Sequence, residues 1–265
     1  MPAPAVPAHA TVPSGSDPRA VLDRAGEDAS AGRFAEALAG FVWFHEHAVG
    51  IDPAWTGVRR SFALGDWHDL ALKYPPALDA MRAARDAAEV RFDAAGEASA
   101  FRDLAALNEH LGEPDRAVRR FLRTAAADPA GAARLYRTAE PLLIAAGESA
   151  ACGPFVDAAD ALSDAADLYF RMSADERRPG PPPCARDFYV RRATVPIALL
   201  ARNGRPAEAR AAHAAAAAFV DRHFLDPPVP HPDLVGPEFA SLREPTVEAA
   251  RTRLAAALRG VFDSR

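Results

Sequence analysis

Three short stretches of this sequence share one pattern: Gly32-Arg33-Phe34-Ala35-Glu36-Ala37, Gly112-Glu113-Pro114-Asp115-Arg116-Ala117 and Gly204-Arg205-Pro206-Ala207-Glu208-Ala209. Each begins with glycine, has Phe or Pro two positions later, and ends with alanine. Each also lies between two stretches rich in Ala and Leu that have helical character. Glycine commonly ends a helix in the left-handed conformation. The small alanine then allows the next helix to pack closely, so the pattern predicts repeated helical hairpins.

The composition favours helices throughout the chain. Alanine makes up about a quarter of the 265 residues, and it is the residue with the highest helix propensity. Isoleucine is scarce and runs of β-branched residues are missing, so strands are not expected. The sequence therefore predicts an all-α fold.

The charge and the cysteines exclude several classes of protein. The net charge is −5 and the pI is about 5.9, so a basic face for nucleic acid is not expected. Arginine supplies every cation except Lys73, a bias typical of a GC-rich bacterial genome. Cys152 and Cys184 have neither the number nor the spacing of a disulfide framework or a zinc site. Residues 1–16 lack the charged and apolar regions of a signal peptide, so we expect a cytoplasmic protein.

Looser copies of the pattern begin at Gly65 and Gly147, which gives five turn glycines. Together these phrases resemble the tetratricopeptide repeat (TPR), a helical hairpin of 34 residues. The clearest copy runs from about Ala98 to Gly131. The stretches Trp43-Phe44-His45-Glu46-His47, Gly57–Leu64 and Tyr74–Ala77 are also similar to a functionally unassigned bacterial group of repeat proteins. The resemblance implies a right-handed solenoid of about five TPR-like hairpins with a C-terminal capping helix.

The predicted organisation has four parts. Residues 1–16 read as a disordered Pro/Ala tail, and residues 17–222 as the TPR-like repeat array. Residues 223–241 form a Pro-rich crossing loop, and residues 242–265 hold the capping helix, whose amphipathic stretch runs from Pro245 to Phe262. Within the array, Tyr74-Pro75-Pro76 should break or restart a helix. Residues 173–183 read as a rigid surface loop, and Ala37, Ala117 and Ala209 are expected at close helix–helix contacts.

A search for catalytic chemistry finds little. No phosphate loop, dinucleotide fingerprint or nucleophile elbow is present. The nearest metal motif is His45-Glu46-His47, but two histidines on one helix face need a spacing of four, and position 49 is Val49. Ligands from His68 or Asp69 could complete a site, although surface histidines are the favoured interpretation. Trp43, Trp55 and Trp67 could line a pocket, but interhelical core is favoured. No catalytic residue, metal or cofactor is predicted, and the chain is not expected to be an enzyme.

One set of residues survives as a candidate binding site. In TPR proteins the first helix of each hairpin lines a concave groove, and the resemblance places five arginines there: Arg59, Arg102, Arg134, Arg137 and Arg191. Guanidinium groups bind carboxylates and phosphates in bidentate fashion. We therefore expect a cationic groove whose arginines mostly lack internal carboxylate partners.

The favoured function is a non-enzymatic scaffold that binds a protein or peptide partner in this groove, and the arginines favour an anionic partner. Nucleic acid and membrane partners are not expected. Two alternatives stay open at this point. One is a regulatory module that senses a small molecule within a larger signalling system; the other, less favoured, is an all-α metal-dependent enzyme that uses His45, Glu46, His47 and His68.

Overall fold

The computed structural model describes residues 16–175, 185–224 and 245–262. Within these ranges all regular structure is helical and no strand occurs, which confirms the all-α prediction. The chain divides into two compact units, residues 1–146 and 147–265. None of the described helices is both long and apolar enough to cross a membrane.

The described part of the first unit, residues 16–146, contains eight α-helices. They are α1 (Pro18–Ser30), α2 (Phe34–Ile51), α3 (Thr56–Arg60), α4 (Phe62–Ala71), α5 (Pro75–Ala95), α6 (Ala98–His110), α7 (Pro114–Ala127) and α8 (Pro129–Ala145). A single 3-10 turn, Pro53–Trp55, precedes α3. Several helices begin with proline, which suits the first turn because its missing N–H would have no intrahelical partner there.

The second unit begins with a much shorter element. Its helices are α9 (Ser149–Cys152), α10 (Ala158–Asp175), α11 (Ala185–Arg202), α12 (Pro206–His223) and α13 (Val247–Ala257). A 3-10 turn, Gly153–Phe155, follows α9. Helix α11 packs against α10, α12 and α13. The predicted C-terminal helix is confirmed, although it begins later and ends earlier than expected.

Four of the five turn glycines occupy the turns that the sequence predicts. Gly32, Gly112, Gly147 and Gly204 all have φ between 70° and 79°, the left-handed region in which side chains are strained. At Gly112 the backbone N–H donates to the carbonyl oxygen of Glu109, at 3.1 Å. That bond closes α6 before Pro114 begins α7.

The fifth turn glycine is a wrong prediction. Gly65 lies inside α4, and its N–H donates to the carbonyl oxygen of Ser61 at 2.9 Å. The turn comes instead at Lys73 and Tyr74, where Pro75 prevents α4 from continuing and begins α5. The prediction that Tyr74-Pro75-Pro76 restarts a helix is therefore confirmed.

The helices of the first unit pack in neighbouring pairs. Helix α1 packs on α2, α5 packs on α4 and α6, and α7 packs on α6 and α8. In addition, α4 contacts α6, and α6 contacts α8. Helix α6 therefore touches α4 and α8 as well as its immediate neighbours in the chain. Ala37 and Ala117 are fully buried, and Ala209 of the second unit is 1 % exposed, as expected of close-packing positions.

Two further expectations have partial answers. The loop predicted over residues 173–183 begins too early, because α10 continues to Asp175. The rest of that loop, Cys184, the tail over residues 1–15 and the Pro-rich crossing from residue 225 to 241 lie outside the described residues.

Candidate functional site

The five predicted groove arginines occupy different surroundings. Arg102 on α6 and both Arg134 and Arg137 on α8 are exposed. Arg59 on α3 is largely buried, with 12 % of its side chain exposed. Arg191 lies in the second unit, on α11, where its Nε donates to a carboxylate oxygen of Asp187 at 2.6 Å.

Arg59 belongs to an ion cluster centred on Asp103. The Asp103 side chain is 5 % exposed and accepts hydrogen bonds from Arg59 Nη2, from Arg60 Nε at 2.7 Å and from Arg91 Nη2 at 3.3 Å. Arg59 Nη1 also donates to the carbonyl oxygen of His45, at 3.0 Å. The cluster therefore joins α2, α3, α5 and α6. The expectation that Arg59 and Arg191 lack carboxylate partners is wrong.

The cluster carries more positive than negative charge. Three guanidinium groups share the one Asp103 carboxylate, which leaves an excess of two positive charges. Burial disfavours the charged form of Asp103, but the attraction of Arg59 and hydrogen bonds from Arg60 and Arg59 outweigh it and lower its pKa. Burial, followed by repulsion from Arg59, lowers the pKa of His45 from 6.5 to about 4. His45 is therefore neutral at pH 7 and does not add to the excess.

The His45-Glu46-His47 motif is not arranged as a metal site. The residue His45 is 8 % exposed, whereas the side chain of His47 is half exposed and stacks on Trp43 with ring centroids 5.3 Å apart. His68 lies near His110 instead, with ring centroids 6.3 Å apart. Among the described residues, no group of three His, Cys, Asp or Glu side chains could hold a metal ion.

The tryptophans behave as predicted for interhelical core. Trp67 and Trp43 are 2 % and 8 % exposed, respectively. Trp55 is half-buried and meets the ring of Phe44 edge-on, at 5.6 Å between centroids. Trp67 also meets the His45 ring edge-on, at 5.8 Å, so the indole borders the ion cluster.

Several buried polar atoms near this cluster have no hydrogen-bond partner among the described residues. They are His45 Nδ1, Arg59 Nε and Trp67 Nε1, and both side-chain polar atoms of Asn108 on α6 are in the same state. Most buried polar groups in proteins are hydrogen-bonded, and an unsatisfied one costs about 1–3 kcal/mol. Such a concentration marks this part of the first unit as a candidate site.

A second candidate is the exposed basic surface of α6 and α8, which we call the arginine surface and define as Arg102, Arg134 and Arg137. Arg134 Nη1 makes a long contact, 3.4 Å, with the carbonyl oxygen of Ala130 on its own helix. Neither Arg102 nor Arg134 forms an ion pair with another described residue. Within α4, α6 and α8 themselves, the exposed acids are Asp66 and Asp69 of α4 and Glu109 of α6, in the middle and C-terminal parts of those helices. The adjoining helices α5 and α7 also carry exposed acids, among them Asp86 and Asp115.

An exposed aromatic side chain lies on the helix beside the arginine surface. Phe62, the first residue of α4, is 76 % exposed, and α4 contacts α6. Arg60, two residues earlier, donates to the carbonyl oxygen of Ser99 on α6 at 3.4 Å. The N-terminal parts of α4 and α6 are therefore close together, and they combine an apolar side chain with exposed positive charge.

The second unit contains a shallow cavity of about 450 Å³ between α10 and α12. It is lined by Leu162, Ala212 and other small apolar side chains, with Arg205 and Glu208 at one end. Arg205 pairs with Glu208 at 2.6 Å and also donates to the carbonyl oxygens of Gly153 and Val156. These polar groups satisfy one another, so the cavity offers no free polar group of this pair to a ligand.

Sequence reasoning missed the centre of the ion cluster. It considered Arg59 and His45 separately, and it did not consider Asp103, Arg60 or Arg91 as site residues. One signal was available: Asp103 lies among Phe101, Leu104 and Ala105, on a helix face that packing buries. A lone carboxylate in such a place requires cationic partners, but the sequence does not tell which arginines reach it.

Comparisons of the chain with protein-family models, with curated proteins and with solved structures found no match.

Proposed function

We propose that the protein is a non-enzymatic, TPR-like helical scaffold, and that its arginine surface binds an acidic segment of a protein partner. In this proposal α4, α6 and α8 are the first helices of successive hairpins and together line one face of the first unit. The contacts of α6 with both α4 and α8 are the packing on which such a face depends.

The observation that carries the proposal is the exposure of Arg102, Arg134 and Arg137 on the contacting helices α6 and α8 of a protein whose net charge is −5. Arg102 and Arg134 are exposed and have no described carboxylate partner, and Arg137 is exposed on the same helix as Arg134. An extended peptide with Glu or Asp side chains complements such a surface, because guanidinium groups bind carboxylates with two parallel hydrogen bonds. Complementary charge also raises the association rate and selects against basic partners.

The proposal includes one apolar contact. Phe62 is exposed beside the N-terminal part of α6, and exposed aromatic side chains often anchor a partner's apolar residue. We therefore propose an acidic peptide that also carries an apolar residue. The apolar contact distinguishes this scaffold from a purely electrostatic surface, because a purely electrostatic surface would bind any polyanion.

Fluorescence anisotropy with two labelled peptides of equal length tests the proposal. One peptide is rich in Glu and contains one Leu; the other has Lys in place of Glu. We expect the intact chain to bind the acidic peptide in preference to the basic one. Arg102→Glu should weaken that binding about fivefold or more, because it removes an attraction and adds a repulsion.

Arg119→Glu is the matched control. Arg119 is also exposed, but it lies on α7, the second helix of its hairpin. We expect its reversal to change binding much less than the reversal of Arg102, although both variants change the net charge equally. Equal losses for the two variants would show that binding follows net charge alone, and no binding of either peptide would refute the proposal.

A further inference from the structure

We propose that His45, Arg59 and Trp67 form a recessed site for a small oxyanion, a carboxylate or a phosphate group, between α2, α3 and α4. This site is distinct from the arginine surface, and the proposal does not depend on the scaffold function. It rests on the chemistry of the unsatisfied atoms, on the charge around them and on the position of the short helix α3 beside His45.

The unsatisfied atoms are those that an oxyanion needs. Arg59 Nε and Trp67 Nε1 are hydrogen-bond donors that cannot accept, and His45 Nδ1 donates in one of its two tautomers. All three atoms are buried and have no described partner. The natural complement of several buried donors in neighbouring side chains is an oxygen atom with lone pairs and negative charge.

The three side chains are close to one another. The His45 and Trp67 rings meet edge-on at 5.8 Å, and Arg59 Nη1 donates to the His45 carbonyl oxygen at 3.0 Å. Both terminal nitrogens of Arg59 are engaged, one with His45 and the other with Asp103. Of the three nitrogens of this guanidinium, only Nε has no described partner. Arg59 lies on α3, next to His45.

The local charge favours an anion. The three guanidinium groups around Asp103 exceed its charge by two, and His45 is buried beside them. Arg91 is half exposed, but Arg59 and Arg60 are largely buried. Excess positive charge is costly where hydration is poor, because the interaction between charges strengthens as the local dielectric falls. A bound oxyanion would offset this excess and would satisfy the donors at the same time.

Helix α3 supplies a route of entry. It has only five residues; Gly57 is exposed, and the other four are partly buried. Arg59 and Arg60 tie α3 to Asp103, so α3 opens only as a local event in which these bonds break. Displacement of α3 would remove Arg59 from its contact with His45, and the return of α3 would bring Arg59 Nε back over a bound anion.

NMR spectroscopy of the indole N–H groups tests this proposal in the intact chain. The protein has three tryptophans, so Trp67 can be assigned with Trp67→Phe and compared with Trp43 and Trp55 in one spectrum. Inorganic phosphate and acetate are the probes, in separate titrations at constant ionic strength. We expect the Trp67 signal to move in a saturable way at millimolar concentrations of one or both anions, while sodium chloride alone leaves it in place.

The two anions distinguish the sources of the ligand. A response to acetate alone indicates a carboxylate ligand, and a response to phosphate alone indicates a phosphorylated one. Either result supports the site. Amide hydrogen exchange in Thr56–Arg60 should also slow in the presence of the effective anion, because the bound state holds α3 closed.

Trp67→Phe tests the role of the indole donor and keeps an aromatic ring in the core. A hydrogen bond to a charged group is strong. We therefore expect the variant to bind the anion that shifts the Trp67 signal at least about tenfold more weakly. The affinity is measured from the anion concentration that slows hydrogen exchange of the α3 amides. Trp55→Phe is the control and should bind normally, since Trp55 Nε1 is not among the unsatisfied atoms.

Two results would overturn the proposal. One is a Trp67 signal that responds to neither anion beyond the effect of sodium chloride. The other is unchanged protection of α3 in a folded Trp67→Phe variant, which would show that any anion binds elsewhere, for instance on the exposed arginines.

Discussion

The single buried carboxylate of Asp103 accepts hydrogen bonds from arginines of two other helices. Arg59 and Arg60 come from α3, and Arg91 comes from α5. The sequence predicted that Arg59 would face a groove, but its guanidinium is turned to an internal acid. Helical periodicity gives the face on which a residue lies; it does not give the partner of a long, flexible side chain, and for that reason the cluster could not be predicted.

The first prediction concerns the removal of this carboxylate. Asp103→Asn leaves three guanidinium groups without their counter-ion, and the loss of one partner from a buried ion pair typically costs about 3–5 kcal/mol. The free energy of unfolding, measured by denaturation with urea, should fall by an amount of that order. Asp79→Asn is the control: Asp79 forms an exposed pair with Arg82, and such pairs contribute about 0–1 kcal/mol. Similar losses for the two variants would contradict the importance given to the cluster.

The second prediction concerns pH and His45. The pKa of His45 is about 4 in the folded chain, against 6.5 without burial. Between these values the unfolded chain binds more protons, so the stability of the fold decreases as pH falls from about 6.5 to 4. The contribution amounts to about 3 kcal/mol. Asp103 adds a loss at lower pH, because its own pKa is also lowered.

The control for this prediction is a comparison of two variants. His45→Phe should flatten the dependence of the unfolding free energy on pH between about 4 and 6.5, since its ring does not titrate. His47→Phe should retain most of the slope, because His45 is still present in that variant. Arg59, Asp103, Arg91 and Arg60 act on His45 and are present in both variants. An unchanged slope in His45→Phe would show that His45 is not the group responsible.

At the scale of helices and turns, the sequence predicted the ends of helices correctly at most positions where glycine or proline restricts the backbone. Gly32, Gly112, Gly147 and Gly204 end helices as predicted, and Pro75 begins one. Gly65 was misassigned because glycine is tolerated inside a helix at a modest cost, and the repeat pattern alone cannot distinguish the two roles. The conformation of a glycine depends on whether its neighbours continue the helical hydrogen bonds, as Ser61 and Gly65 do.

A third prediction follows from this distinction. Gly112→Ala should destabilise the fold by about 1–2 kcal/mol, because an alanine at φ 70° is strained. Gly26→Ala should have the opposite sign, with a gain of about 0.5–1 kcal/mol, since Gly26 lies inside α1 with open space where its Cβ would be. Thermal unfolding of both variants checks the pair. A stabilising Gly112→Ala would show that the α6–α7 turn is not in the left-handed conformation.

At the scale of the whole molecule, the all-α class was predictable and the internal ion pairing was not. Alanine content and the spacing of turn signals predict helices and their order, because these depend on neighbouring residues. The division into units 1–146 and 147–265 was not predicted. This division depends on which buried faces meet in three dimensions, and the sequence does not give those contacts. The short α9 and the 3-10 turn after it lie at the start of the second unit, but their sequence alone does not identify a boundary.

The central claim is that the arginine surface recognises an acidic partner, and a charge exchange tests it most directly. The double variant Arg102→Glu with Arg134→Glu reverses two exposed charges that have no described ion-pair partner, so its fold should be retained. In the anisotropy titration we predict that this variant loses the Glu-rich peptide and binds the Lys-rich peptide more tightly than the unchanged chain does. Retained preference for the Glu-rich peptide by the folded double variant would contradict the claim.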